Sequence, residues 1–129
     1  MAHHPTVLIV DDHDLLRKIL ASVLSFEGYR TLEAVDGAQA VDILRQSPDR
    51  LVVLLDLKMP GMSGQDVLEL VNVSEDLKRH VYIVVSVDKA LLDLDHASLL
   101  TRHDIPFMEK SFTLDELLEE VARAASRLS

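Results

Sequence analysis

The chain has 129 residues, of which 13 are Lys or Arg and 22 are Asp or Glu, so its formal net charge is −9. This acidic balance argues against a nucleic-acid-binding surface, because affinity for phosphate backbones depends on clustered positive charge. The absence of cysteine excludes a disulfide scaffold, a thiolate metal site and a cysteine nucleophile. The longest apolar runs have about a quarter of the length that a membrane-spanning helix needs, and the first residues do not have the pattern of a secretory signal. We therefore expect one cytoplasmic domain over residues 1–129, without membrane insertion.

Three short apolar runs predict strands that are buried on both faces. They are rich in Val, Ile and Leu and too short for ordinary helices, and their apolarity is continuous, as in a parallel sheet covered by helices. The runs are residues 6–10, 51–55 and 81–87, and two weaker candidates are residues 29–33 and 105–109.

Between these strands, apolar residues recur at intervals of three or four, which predicts five helices. The first predicted helix carries Leu15, Ile19, Val23 and Phe26 on one face, and Gly28 follows as a typical helix end. The other four apolar faces are Ala40, Val41 and Leu44; Val67, Leu68 and Val71; Ala90, Leu91, Leu94 and Ala97; and Leu114, Leu117, Leu118 and Val121. The alternation predicts an α/β fold, with a doubly wound sheet of five parallel strands and helices on both faces, from about residue 6 to residue 128.

Polar residues stand where four of the predicted strands end. Asp11 and Asp12 close the first strand, Asp56 the third, Ser86 the fourth, and Lys110 lies near the end of the fifth. In a parallel sheet these ends meet at one edge, which is where open α/β sheets bind ligands. Taken singly, an Asp or Ser at such a point is more often a helix cap. Three carboxylates together repel one another unless a cation is present, and oxygen ligands without Cys or His favour Mg²⁺.

The order of these residues resembles the receiver domain of two-component response regulators. The resemblance rests on Asp11-Asp12, on Asp56 with Met59-Pro60-Gly61-Met62-Ser63-Gly64, on Ser86, on Lys110-Ser111-Phe112, and on the stretch from Gly28-Tyr29 to Asp36-Gly37-Ala38-Gln39-Ala40. It covers residues 6–128, essentially the full chain. It implies a flavodoxin-like fold with the strand order 2-1-3-4-5.

The resemblance also implies roles for individual residues. Asp56 would accept a phosphoryl group from the phosphohistidine of a sensor histidine kinase or phosphotransfer protein, and would slowly lose it again. Asp12 and Asp56 would bind Mg²⁺ directly, Asp11 through a water molecule, and Lys58 through its backbone carbonyl. Lys110 and Mg²⁺ would offset charge on the phosphoryl oxygens. The resemblance makes Ser86 and Phe107 the switch residues; for Phe107 the alternative is an ordinary strand aromatic.

Two departures from the family pattern bear on the site. Ser111 replaces the usual proline, whose peptide bond is typically cis, and a cis bond before a non-proline residue costs roughly 2.5–4 kcal/mol. The approach of Lys110 therefore stays open at this stage. Lys58 and Asp88 carry opposite charges at positions that flank the phosphorylation site in the family. They either pair and hinder an attacking water molecule, or are two solvated surface charges.

The fourth predicted helix has more leucine than one buried stripe requires. Leu92 and Leu99 lie seven residues apart on a flank of the helix that differs from its predicted core face. They form either a partner or dimerisation surface with the fifth strand and the fifth helix, as the family uses this face, or the second buried flank of a tilted helix.

Three functional classes were weighed. The first is a phosphorylation-switched signalling module that is not an enzyme beyond its own phosphorylation and dephosphorylation. A haloacid-dehalogenase-type phosphatase needs a second Asp two residues after the nucleophile, where this chain has Lys58. A degenerate receiver that binds partners without phosphorylation is the remaining alternative, which Ser111 favours and the intact acidic and lysine positions disfavour.

Overall fold

The computed structural model describes residues 4–128, except for the side chain of Leu91. Within this part of the chain, five parallel strands form one sheet in the order β2-β1-β3-β4-β5, which confirms the predicted topology. The strands are β1 (Thr6–Val10), β2 (Arg30–Ala34), β3 (Val52–Asp56), β4 (Val81–Ser86) and β5 (Phe107–Glu109). The expected domain ends at residues 1–3 and 129 lie outside the described residues.

The burial of each strand follows its position in the sheet. Every residue of β3 and β4 is buried, because helices cover both faces of these inner strands. The edge strand β2 instead alternates between exposed and half-buried residues up to Ala34. Pro106 lies just before the other edge strand, where its carbonyl oxygen accepts a hydrogen bond from the Val84 amide at 2.9 Å. Proline therefore stands immediately before the first residue of an edge strand, a position at which sheets tolerate it.

Six helices occur in the described residues, one more than predicted. They are α1 (Asp14–Phe26), α2 (Gly37–Gln46), α3 (Gly64–Val73), α4 (Glu75–Lys78), α5 (Leu94–Arg102) and α6 (Leu114–Ser126), and a 3₁₀ turn spans Lys89–Leu91. The extra element is the single-turn helix α4, which is too short to show apolar periodicity. Capping boxes at Ser63 and Thr113 fix where α3 and α6 begin.

Helices pack on both faces of the sheet and divide the core into two clusters. Helices α2, α3, α4 and α5 contribute to the cluster on one face, and α1 and α6 to the cluster on the other. Successive residues of β3 alternate between the two clusters, with Val53 and Leu55 in the first and Val52 and Leu54 in the second. None of the helices in residues 4–128 is long and apolar enough to cross a membrane.

The predicted apolar face of α1 points to solvent, so that prediction was wrong. Leu15 is 66% exposed and Phe26 is 91% exposed, whereas Arg17, Leu20 and Leu24 form the buried side. The true buried stripe includes an arginine, which a search for apolar spacing does not select. Its charge is tolerated because carboxylates surround it, as described below.

The predicted core face of the fourth helix was also wrong in part. The helix, α5, begins only at Leu94, which is 89% exposed, while Ala90 belongs to the preceding 3₁₀ turn. Leu92 and Leu99 are half-buried and pack against the core cluster of α2, α3 and α5. Leu92 is the C-cap of the 3₁₀ turn and precedes α5, so the prediction that it shares a helix flank with Leu99 was wrong. The packing of both leucines on the core favours the alternative of burial. The Leu91 side chain, which was expected on the core face, lies outside the described part.

Candidate functional site

The carboxyl ends of the inner strands and of β5 bring the predicted polar residues together. One carboxylate oxygen from each of Asp11, Asp12 and Asp56 lies within 4.8 Å of the others. The Lys110 ammonium donates to Asp11 Oδ2 at 3.0 Å and contacts Asp56 Oδ2 at 3.3 Å. Residues from three distant parts of the sequence thus form one acidic cluster, in which the Lys110 ammonium bridges Asp11 and Asp56.

Local backbone contacts explain why the acidic pair is available to a ligand. The N-cap of α1 is His13, whose Nδ1 accepts a hydrogen bond from the Leu16 amide at 3.1 Å. Asp11 and Asp12 are therefore not the caps of this helix, contrary to the alternative considered from the sequence. Asp11 Oδ1 accepts from the His13 amide at 2.8 Å, and Asp12 is exposed.

Burial and charge act in opposite directions on the Asp56 carboxylate. Burial, with a smaller contribution from the Asp11 charge, raises the pKa of Asp56 to about 6, although the Lys110 ammonium and a backbone hydrogen bond from Lys58 lower it. For Lys110, burial alone would lower the pKa, but the Asp11 and Asp56 carboxylates raise it above its ordinary value. The ammonium is therefore charged at neutral pH, and Asp56 ionises near pH 6 in the metal-free protein.

A buried arginine supports the loop that carries the acidic pair. Arg17 Nη1 donates to the Asp11 carbonyl oxygen at 2.9 Å, and Nη2 donates to Asp14 Oδ1 at 2.7 Å. Its Nε donates to Glu33 Oε1 on β2 at 2.9 Å. The guanidinium thus joins α1, β2 and the end of β1, and each of its nitrogens is used. The sequence interpretation missed this residue because arginine is rarely buried; its position on the same side of the helix as Leu20 and Leu24 was the available signal.

The Ser86 hydroxyl has no hydrogen-bond partner within the described residues, and Ser86 lies one residue beyond Val85, the β4 residue that pairs with Asp56. Ser86 is fully buried at the end of β4, and its Oγ is the single buried side-chain polar atom of the described residues that has no partner. Its carbonyl oxygen accepts from the Lys110 amide at 2.8 Å, so the two residues are held side by side. A buried hydroxyl without a partner is unfavourable by roughly 1–3 kcal/mol, which an incoming acceptor atom would relieve.

The structure shows how the chain accommodates its two departures from the family pattern, namely Ser111 after Lys110 and the opposite charges of Lys58 and Asp88. The Lys110–Ser111 peptide bond is trans, since no cis bond occurs in the described chain, and Lys110 still reaches both carboxylates. No ion pair joins Lys58 to Asp88 among the residues described. The Asp88 carboxylate instead accepts from the Ala90 amide at 2.9 Å and caps the 3₁₀ turn.

An open cavity of about 680 Å³ gives access to the cluster. Asp12, Asp56 and Lys110 line it, together with exposed Lys58 and Val87. The donor set fits Mg²⁺, because this ion prefers one to three carboxylates and keeps several water molecules. The unpartnered Ser86 hydroxyl and the convergence of three carboxylates on one point are both consistent with a site for a cation and an oxyanion.

Residue Phe107 is half-buried and packs against the core cluster of α2, α3 and α5. It also lines a groove of about 630 Å³ between α5, β5 and α6. The side chain thus contacts the interior on one side and a surface groove on the other.

The strand order and the helices on both faces define a flavodoxin-like doubly wound fold, with its polar cluster at the carboxyl edge of the sheet. The family model of the response regulator receiver domain matches residues 7–122. Sporulation initiation phosphotransferase F of Bacillus subtilis is 33% identical over 118 residues, which are 91% of this chain and 90% of that protein. Chemotaxis protein CheY-3 of Vibrio cholerae is 30% identical over 123 residues, 95% of this chain and 92% of that one.

Among solved structures, a response regulator receiver protein from Pseudomonas putida is similar, with a TM-score of 0.77 and 28% identity. The match covers 95% of this chain and 99% of that chain. The chain therefore belongs to the response regulator receiver family.

Proposed function

We propose that this receiver domain accepts a phosphoryl group on Asp56 and uses it as a signalling switch. The observation that carries the proposal is the buried Asp56 carboxylate, which contacts Lys110, lies beside Asp11 and Asp12, and opens into a solvent-accessible cavity. A buried carboxylate with a raised pKa among opposed charges is typical of a functional site.

In the proposed reaction, an ionised Asp56 oxygen attacks the phosphorus of a phosphohistidine. An O–P bond forms, the N–P bond breaks, and the histidine nitrogen takes the electron pair and then a proton from solvent. Lys110 would donate to a phosphoryl oxygen, since its ammonium already contacts Asp56 Oδ2. Mg²⁺ held by Asp12, Asp56 and the Lys58 carbonyl, with Asp11 acting through a water molecule, would supply charge neutralisation when bound. Loss of the phosphoryl group to water would return Asp56 to its starting state.

The switch would follow from the new charge. A phosphoryl group brings a dianion with strong acceptor oxygens, and the Ser86 hydroxyl beside it has no other partner. Its movement towards the phosphoryl group would draw in the exposed residues that follow β4. Phe107 could then turn inward from the groove that it lines. The surface of α5, β5 and α6 would therefore change, and an output partner or a second copy of the chain would read that change.

The phosphoryl donor is expected to be a protein rather than a small metabolite alone. Leu15 and Ile19 are exposed on the first turns of α1, and this helix begins two residues after the acidic pair. Apolar side chains beside a site for a charged reaction are typical of a protein contact surface. A histidine kinase or phosphotransfer protein is the donor of that kind.

Intact mass after incubation with Mg²⁺ and acetyl phosphate tests the proposal. We expect one phosphoryl adduct on the wild type, none on Asp56→Asn, and slower formation on Lys110→Gln. Asp42→Asn removes the same charge from an exposed position on α2 and should react as the wild type does. An adduct that persists in Asp56→Asn, or a folded wild type that never reacts, contradicts the proposal; the second result would favour a phosphorylation-independent binding module.

A further inference from the structure

A small basic cavity lies at the amino-terminal edge of the sheet, opposite the acidic cluster. Its volume is about 120 Å³, and Arg50, Lys78, His80, His103 and Arg127 contribute to its wall. These residues come from the start of β3, the end of α4, the start of β4 and the ends of α5 and α6. The rest of the wall is Val71, Val81, Tyr82 and Ile105, so no carboxylate lines the cavity among the described residues. This concentration of cations is notable in a chain of net charge −9.

Neighbouring groups use only part of the hydrogen-bonding capacity of these cations. Arg50 Nε donates to the Arg79 carbonyl oxygen at 2.7 Å, and Arg127 Nη1 donates to the Asp104 carbonyl oxygen at 3.0 Å. Carbonyl oxygens have no formal charge, so both guanidinium charges are uncompensated. The other nitrogens of these two guanidinium groups have no partner in the part of the chain described. Lys78 contacts Glu75 at 3.3 Å, but that carboxylate side chain is 91% exposed.

Burial, with a smaller effect of neighbouring cations, lowers the pKa of both histidines of the wall. Burial, and then the charges of Lys78 and Arg102, lower the pKa of His103. Burial lowers the pKa of His80 as well, with Arg79 and Arg50 adding to the effect against a hydrogen bond to Leu44. The Asp76 carboxylate, which acts in the opposite direction on the pKa of His80, forms its own ion pair with Arg45 at 3.4 Å.

We propose that this cavity binds a single phosphate group, either as inorganic phosphate or as the phosphate of a small molecule. Its size admits one tetrahedral oxyanion, and the forked donors of Arg50 and Arg127 match the geometry of phosphate oxygens. Lys78 adds a point charge at the mouth. The site needs no metal ion, and the whole length of the sheet separates it from Asp56. It therefore does not depend on phosphoryl transfer at Asp56.

Amide NMR titration with inorganic phosphate, in the presence of a chelator and at constant ionic strength, tests the proposal. We expect saturable shifts at Val81, His103 and Arg127, and none at Asp56 and Ser86. A parallel titration with adenosine monophosphate distinguishes the sources: equal affinity identifies the phosphate group as the recognised unit, and tighter binding identifies a phosphorylated small molecule. Shifts that chloride reproduces at the same ionic strength, or shifts confined to the acidic cluster, overturn the proposal.

Variants in which glutamine replaces a cationic residue test where the phosphate binds. Lys78→Gln leaves both arginine–carbonyl contacts in place and should weaken phosphate binding, and the double variant Arg50→Gln with Arg127→Gln should weaken it by about tenfold or more. Arg30→Gln removes one charge from β2, at the far edge of the sheet, and serves as the matched control. A loss of affinity in Arg30→Gln that equals the loss in Lys78→Gln would show only a net-charge effect and would overturn the assignment. The amide spectrum of each variant verifies its fold.

Discussion

The absence of a side chain at Gly64 makes room for the backbone of Asp56. A Cβ atom at Gly64 would lie 2.1 Å from the Asp56 carbonyl oxygen and 2.7 Å from the Leu57 Cα, and the Gly64 amide donates to the Leu57 carbonyl oxygen at 2.9 Å. The first residue of α3 is thus packed directly on the end of β3. This contact fixes the position of Asp56 relative to the following loop.

Gly64→Ala should therefore destabilise the protein by about 1–3 kcal/mol or more, because the backbone of β3 or α3 has to move. Urea unfolding measures the loss. Gly61→Asn is the control, since Gly61 has a φ of 70° and no atom within 4 Å of its would-be Cβ, and asparagine tolerates left-handed backbone. Equal stability of Gly64→Ala and the wild type would show that this close packing does not exist in solution.

Asp56→Asn should stabilise the metal-free protein at pH 7. Burial raises the pKa of Asp56 to about 6, so the native state binds a proton more tightly than the unfolded state does between about pH 4 and pH 6. Stability from this group is greatest at acid pH and falls as the pH rises through that window. A shift of about two pKa units corresponds to a gain for the variant of roughly 1–3 kcal/mol at pH 7.

Urea unfolding in a chelating buffer at pH 7 and pH 4.5 tests this sign. The difference between Asp56→Asn and the wild type should shrink at the lower pH. Asp42→Asn, on the exposed side of α2, should show neither the gain nor its pH dependence. A variant that is less stable than the wild type at pH 7 would contradict the raised pKa.

The buried His80 should give the opposite pH dependence. Its Nδ1 accepts from the Leu51 amide at 2.9 Å, and Nε2 lies 2.9 Å from the Leu44 carbonyl oxygen, so the neutral ring satisfies both contacts. Burial lowers its pKa, and below about pH 6.5 the unfolded state therefore binds more protons than the native state. In an Asp56→Asn background, stability should fall as the pH drops from 7 to 5. Replacing His80 with leucine in that background should abolish most of the slope.

His80→Leu should also cost about 1–3 kcal/mol at pH 7, because it leaves the Leu51 amide buried without a partner. The Leu44 carbonyl oxygen keeps its contact with Arg79 Nη2 at 3.2 Å. His96→Leu is the comparison, since the ring nitrogens of His96 pair with the exposed carboxylates of Asp93 and Glu69. Similar losses in both variants would argue against the special role of the buried ring.

Asp12→Asn should weaken Mg²⁺ binding by about tenfold or more while leaving the metal-free stability almost unchanged. Asp12 is exposed and forms no ion pair within the described residues, whereas Asp11 is held by His13 and Lys110. Removing one charged ligand lowers the affinity of a hard cation for an oxygen site. Titration calorimetry with MgCl₂ measures the change, and Asp115→Asn on α6 is the control. Unchanged affinity in Asp12→Asn would remove Asp12 from the proposed ligand set.

The strands could be predicted from the sequence because the inner strands of a covered parallel sheet are apolar without interruption. The expected runs at 6–10 and 81–87 agree with β1 and β4 to within one residue. Helix faces were less predictable. In α1 the exposed Leu15 and Phe26 have the spacing of a core stripe. The buried side instead includes Arg17, whose charge is neutralised by Asp14 on the same helix and by Glu33 on β2.

The candidate site could be predicted because polar residues follow apolar strands and the topology places those ends together. The sequence does not show which hydrogen-bond or ion-pair partner each polar side chain takes in the folded chain. Pairing of Asp88 with Lys58 was one of two alternatives, and the carboxylate of Asp88 instead accepts a hydrogen bond from the nearby Ala90 amide. Whether Lys110 could reach Asp56 with Ser111 in place of proline was likewise a question of three-dimensional distances.

The position of Asp56 determines which parts of the molecule can respond to chemistry there. All five residues of β3 are buried, and the strand is bonded to β1 on one side and β4 on the other. Such inner strands are the last parts of a domain to open. The phosphorylated oxygen of Asp56 would therefore keep its position. The parts that move would be the exposed residues 87–90, which follow β4. A signal from this site would therefore consist of a movement of the residues around Asp56, while the strands of the sheet stay in place.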